Sequence, residues 1–178
     1  MGAAYTDLKY SAWECSMKKT AVMLGLWCLA FGAWADVDVR FVSPDKFIDI
    51  GRDDAEQQQV LQGLEAHLKA AGDKRVSGSQ RLLIEVLDVN LAGEERPIPS
   101  RAAMLRVLRG ATPPSMQVRY TLSEGGVVLR SAESRLSDLG YQDGINRYHV
   151  SDSLRYEKAM VDGWFRSEFS LASTKTSP

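Results

Sequence analysis

The sequence predicts an α+β fold: a two-layer sandwich with two helices on one face of a mostly antiparallel sheet of about four strands. Three observations predict it. Short segments alternate apolar and polar residues, most cleanly at Val37-Asp38-Val39-Arg40-Phe41 and from Met116 to Leu122, which is the period of a half-buried strand. Two longer stretches, from Asp53 to Gly72 and from Ser151 to Phe169, carry apolar stripes at helical spacing. The order is strand, helix, strand, strand, strand, helix, and this lack of strict alternation argues against a fully parallel sheet.

The first strand is preceded by a leader. Met17-Lys18-Lys19-Thr20 is a short positive start, Ala21 to Phe31 is apolar, and Ala33-Trp34-Ala35 places small residues at a cleavage site before Asp36. These are the three parts of a secretory signal peptide at 17–35. Residues 1–16 are polar, with Asp7, Lys9 and Glu14, and read as a start assigned too far upstream. The apolar run is interrupted by Gly25 and Gly32 and is shorter than the ~20 residues that span a bilayer. A lipoprotein cut at Cys28 would need a small residue before it, and Trp27 stands there.

Residues 36–169 then read as a single α+β domain of roughly 135 residues, with 170–178 a mobile polar tail. Ser43-Pro44-Asp45 ends the first strand. Asp53 and Glu56, three apart, predict a capping box. Val60, Leu61, Leu64 and Leu68 form the stripe of the first helix, and Gly72 suits its left-handed cap. Leu82 to Leu91 is apolar on both faces at its start and predicts a central strand. Residues 93–114, with Pro97, Pro99, Pro113 and Pro114, predict a long connection whose middle, 102–108, has room for a short helix or strand. Met116 to Leu122, the turn Glu124-Gly125-Gly126, and Val127 to Leu136 predict a hairpin. Ser151 is placed to cap the last helix with Asp152 in its first turn, and Asp162 and Arg166 to pair on its surface.

Composition excludes several chemistries. Both cysteines, Cys15 and Cys28, precede the cleavage point, so the exported chain has no disulfide and no thiolate ligand or nucleophile. The formal net charge of −1 predicts no general affinity for nucleic acid. There is no nucleophile elbow, no Gly-rich phosphate loop and no His-Glu-x-x-His zinc motif. No cofactor and no metal site is expected, since a zinc site takes three or four protein ligands and His67 and His149 stand apart.

Two groups of residues remain as site candidates. Asp138, Tyr141, Tyr148, His149 and Glu157 crowd the loop before the last helix and its first turn, where they could form a polar pocket with aromatic walls. In the plainer reading Asp138 turns the chain, the tyrosines pack on the helices, and Glu157 and Lys158 face water. Arg96, Arg101, Arg106 and Arg109 in the long connection form a basic loop suited to an anionic partner, or a solvated loop. Asp88 and Asn90 on the central strand read as its wet end.

The motifs Val37-Asp38-Val39-Arg40-Phe41, Ile84 to Gly93, Arg106-Val107-Leu108-Arg109-Gly110, Arg119-Tyr120, Leu136-Ser137-Asp138, Tyr156-Glu157-Lys158 and Trp164-Phe165 occur in that order. In these motifs the chain resembles the bacterial family catalogued as domain of unknown function 3016, across nearly all of the segment after the leader. The resemblance implies a small exported protein of Gram-negative bacteria, and it implies no catalytic residue. The chain departs from it at Thr112-Pro113-Pro114-Ser115, where an aromatic is expected in relatives. The expectation is therefore a periplasmic, non-enzymatic binding or envelope-assembly module, with an envelope protein or other envelope component as its partner and no membrane span after cleavage. The alternative is a small periplasmic hydrolase or lyase using Asp138, His149 or Glu157, which would have to converge within hydrogen-bond reach.

Overall fold

Alternation at the start of the domain produces strand β1, Asp36–Phe41. The structure is a computed structural model and describes residues 36–99 and 103–169, all within one compact unit. The leader at 17–35, residues 1–16, Arg101 and the tail at 170–178 lie outside the described residues.

A single 3-10 turn at Pro44–Lys46 follows β1. Helix α1, Asp54–Asp73, is capped by Asp53, whose carboxylate accepts the Glu56 N–H at 2.9 Å. Glu56 reaches back one residue further than a simple capping box and accepts from the Arg52 N–H at 3.1 Å. Gly72 is not a left-handed cap, for α1 runs on through Asp73. Its small size serves packing instead: a Cβ there would lie 2.9 Å from Val37 Cγ1.

Strands β2 (Gln80–Asn90), β5 (Ser115–Glu124) and β6 (Val127–Ser137) complete a sheet of order β1-β2-β5-β6. Only the β1–β2 pairing is parallel, with α1 as the crossover, so the sheet is mainly antiparallel as the sequence predicts. Gly125 and Gly126 both have positive φ and close the β5–β6 hairpin in the way a two-residue turn requires. A small second sheet adds β3 (Glu94–Pro97) antiparallel to β4 (Met104–Val107), inside the long connection.

A bulge between Val86 and Asp88 decides which side chains of β2 face the core. Leu82, Ile84 and Val86 point inward, and after the extra residue Val89 does so too. Asp88 is thereby turned to the open side, where its carboxylate accepts the Ile48 N–H at 3.0 Å. The inward set meets Val60, Leu64 and Leu68 of α1 and Met160, Val161, Trp164 and Phe165 of helix α2, Arg155–Phe169, in one core. The Tyr120 ring packs edge-on against Trp164 while its hydroxyl donates to Glu168. The opposite face of the sheet is charged: Arg40 pairs with Asp38 at 2.8 Å, and Arg119 bridges Glu85 and Glu133. An apolar outer face that could take a partner is therefore not what the sheet presents.

Three local expectations about α2 change. Its first helical residue is Arg155, and the Asp152 carboxylate accepts the Leu154 N–H at 3.0 Å ahead of it. Ser151 bonds the His149 ring rather than capping the helix. Asp162 pairs with Arg147, His67 and Tyr148, not with Arg166.

Candidate functional site

The β3–β4 hairpin is pinned over one end of the main sheet by ion pairs. The Arg106 guanidinium donates to both Asp49 oxygens, at 2.7 and 3.1 Å, and lies 3.6 Å from Glu95. Glu95 is 3.3 Å from Arg52, which also bonds Glu56 at 3.1 Å. Arg96 and Arg109 share Glu94, at 2.7 and 3.5 Å. The basic loop read from the sequence is thus neutralised at each of its described arginines, because Asp49, Glu94 and Glu95 fold onto it.

Between this hairpin, the start of α1 and the start of α2 lies a cleft of about 560 Å³. Val60, Leu91, Leu108, Val150 and Leu154 give it apolar walls, and Glu56, Arg106, Asp152, Arg155 and Glu157 its charges. Glu157 is 2 % exposed and is the one charged residue buried among the described residues. Its Oε1 accepts the Ala92 N–H at 2.8 Å, and its Oε2 has no hydrogen-bond partner among the described residues. Burial raises the Glu157 carboxyl above the usual range, against the opposing pull of the Ala92 N–H and of Arg106. The expectation that Glu157 faces water is corrected. It stands three and four residues before Met160 and Val161 and seven before Trp164, so it belongs to the buried stripe of α2.

A second polar cluster joins the two helices. His67 Nε2 lies 3.2 Å from Asp162 Oδ1, while the Tyr148 hydroxyl and the Arg147 guanidinium both donate to Asp162 Oδ2. Burial by itself raises the Asp162 carboxyl, but the Tyr148 and Arg147 donors and nearby His67 outweigh it and hold the group below its ordinary value. Burial lowers the His67 pKa, with Asp162 pulling the other way. Burial and the Asp162 carboxylate together push the Tyr148 hydroxyl up to about 12. With every polar atom of Asp162 engaged, the cluster acts as a tie between α1, α2 and the preceding loop. No local spacing announces this tie, since His67 and Asp162 lie on different helices.

The remaining candidates separate. Tyr141, Tyr148 and His149 do line one cleft, of about 500 Å³, together with Tyr156. Tyr141 is buried, donates to the Arg109 carbonyl at 2.8 Å and packs edge-on against Tyr156. His149 is exposed, its Nδ1 2.7 Å from Ser151 Oγ. Asp138 accepts the Gly140 N–H at 3.2 Å in a turn, and lines another cleft beside Leu136 and Trp164. Asp138 therefore borders a cleft of its own, while the clefts at His149 and Glu157 adjoin and share Val150, Arg155 and Tyr156. Among the described residues no group of three or more His, Cys, Asp or Glu is placed to hold a metal, and no helix is long and apolar enough to cross a membrane.

The fold and clefts define a small two-layer α+β domain with a half-open sheet and a carboxyl buried at a cleft. The chain belongs to the family described as protein of unknown function (DUF3016), whose model matches residues 35–167. Among solved structures it is similar to the PelC dodecamer from Paraburkholderia phytofirmans, at 13 % identity over 76 % of this chain and 86 % of that chain. The TM-score of that match is 0.29, too low for the likeness to carry any argument. No curated protein matches the sequence.

Proposed function

We propose that the chain is an exported, non-enzymatic binding module of the bacterial envelope, acting in the periplasm after cleavage behind Ala35. The observation that supports the non-enzymatic part is that Asp138 lines a cleft apart from those of His149 and Glu157, and that each of the three bonds a different neighbour rather than one another. General acid–base chemistry needs its groups within hydrogen-bond reach of one reacting centre. The binding part is supported by the cleft at Glu157, whose size and mixed walls suit recognition. Export is supported by the leader at 17–35.

Cross-linking in living cells, followed by mass spectrometry, tests the reading: a reproducible envelope partner is expected. Turnover of an envelope substrate by the purified protein, lost in Asp138→Ala, would overturn it in favour of a hydrolase or lyase. Export has its own test, because N-terminal sequencing of periplasmic protein should begin at Asp36. An intact Met1 or Met17 in the membrane fraction would refute cleavage.

A further inference from the structure

Glu157 leaves one carboxyl oxygen without a donor beside a cleft whose cations are already engaged. Arg106 is closed on Asp49 by two hydrogen bonds, the Lys158 ammonium bonds Asp152 at 2.7 Å, and the Arg155 guanidinium lies over the Tyr156 ring, 4.4 Å from its centroid. An ionised carboxylate accepts at both oxygens, and the Ala92 N–H satisfies only Oε1. Three carboxyls, Glu56, Asp152 and Glu157, line the cleft against Arg106 and Arg155. Leu91, Leu108 and Leu154 are among its apolar lining residues. A ligand that completes this site brings hydrogen-bond donors, a positive charge and methylene groups.

We propose that the cleft binds a primary ammonium group on an apolar stem, the ammonium donating to Glu157 and the stem lying along Leu91, Leu108 and Leu154. The proposal rests on the binding-module reading and names its ligand chemistry. An ammonium supplies three donors from one compact charge. A guanidinium is planar and wider, and an alcohol brings no charge to compensate a buried carboxylate. The ammonium requires Glu157 ionised, so in the free protein its arrival expels the proton that burial favours. The other charged groups lining the cleft are Glu56 of α1, Arg106 of β4, Asp152 of the preceding loop and Arg155 of α2; of these Arg106 favours the ionised form of Glu157 and Asp152 the neutral one.

The test uses amide spectra of the intact purified protein titrated with n-butylamine, with n-butanol as the uncharged control. The amine is expected to give a saturable shift of the Ala92 amide, whose N–H is bonded to Glu157, and the alcohol is not. Apparent affinity should rise by up to about tenfold per pH unit while Glu157 is still protonated in the free protein. Glu157→Gln should weaken amine binding at least tenfold. Ser153→Lys, at the exposed rim, guards against a folding artefact by supplying a competing ammonium of its own; weaker amine binding with an unchanged unfolding midpoint is expected. Nα-acetyl-lysine amide and putrescine distinguish the sources: tighter binding of the first assigns a protein side chain, tighter binding of the second a free polyamine. Equal shifts with butanol, or undiminished amine binding by Glu157→Gln, overturn the proposal. A cross-linked envelope partner would survive that result, so the two failures are separable.

Discussion

Glu157 and Asp162 lie five residues apart on α2 and meet opposite environments. Burial prevails at Glu157, whereas the Tyr148 and Arg147 donors, with His67 nearby, prevail over burial at Asp162. A carboxyl with a raised folded pKa contributes stability that is full below its unfolded value and is lost as pH rises through the folded one. Glu157→Gln stays neutral, so its stability relative to wild type should improve between pH 4 and pH 8. Urea midpoints at both values check this, and an identical difference at each would sink it. Asp162 runs the other way, its contribution present above the ordinary carboxylate range and lost as pH falls. Asp162→Ala leaves His67, Tyr148 and Arg147 without their acceptor, and should cost about 2 kcal/mol at pH 7. That deficit should shrink toward pH 3 in the same denaturation series. The burial of Glu157 is legible in its place on the α2 stripe, where periodicity outweighs charge. The Asp162 tie is not, because its partners come from α1 and a loop and no local spacing links them.

At the scale of elements, the hairpins divide by the kind of sequence that makes them. The β5–β6 hairpin announces itself through alternation and Gly125-Gly126. The β3–β4 pair is short, charged and bounded by prolines, and it exists because Arg106 and Glu95 find Asp49 and Arg52 in another part of the chain. Gly93 makes the junction possible: its φ is +83°, and a Cβ would lie 2.6 Å from the Val107 carbonyl oxygen. Gly93→Ala should therefore cost about 1–3 kcal/mol and speed hydrogen exchange of the β3–β4 amides more than those of β2. Uniformly faster exchange throughout the domain would contradict a local role. Asp53→Ala removes the α1 cap and should cost about 1 kcal/mol in equilibrium unfolding. Periodicity alone does not reveal the bulge in β2, because Leu87 directly follows Val86 in a stretch apolar on both faces and only the register against β5 shows the slip.

At the scale of the whole molecule, the sheet is covered on one side and charged on the other, and its two edges differ. β6 is an edge strand whose first residues, Val127, Val128 and Leu129, are 65, 59 and 50 % exposed. Such an edge invites strand-to-strand association. Val128→Lys should raise the concentration at which the protein self-associates, read by light scattering, with stability unchanged within about 0.5 kcal/mol. An unchanged threshold would show that the edge is already guarded by Arg130, Glu133 and Arg135. The strand order β1-β2-β5-β6 also bears on the sequence of events in folding. β2 sits between β1, which precedes it across the whole of α1, and β5, which follows the long connection. The β5–β6 hairpin is the locally closed pair of the main sheet, and hairpins form in roughly 1–10 μs, well ahead of pairings that must first close long loops. We predict that it nucleates the domain, so that substitutions at Val118 and Tyr120 slow refolding while those at Val39 chiefly speed unfolding. A chain delivered amino end first would then hold its leading half unsettled until the closing hairpin had arrived.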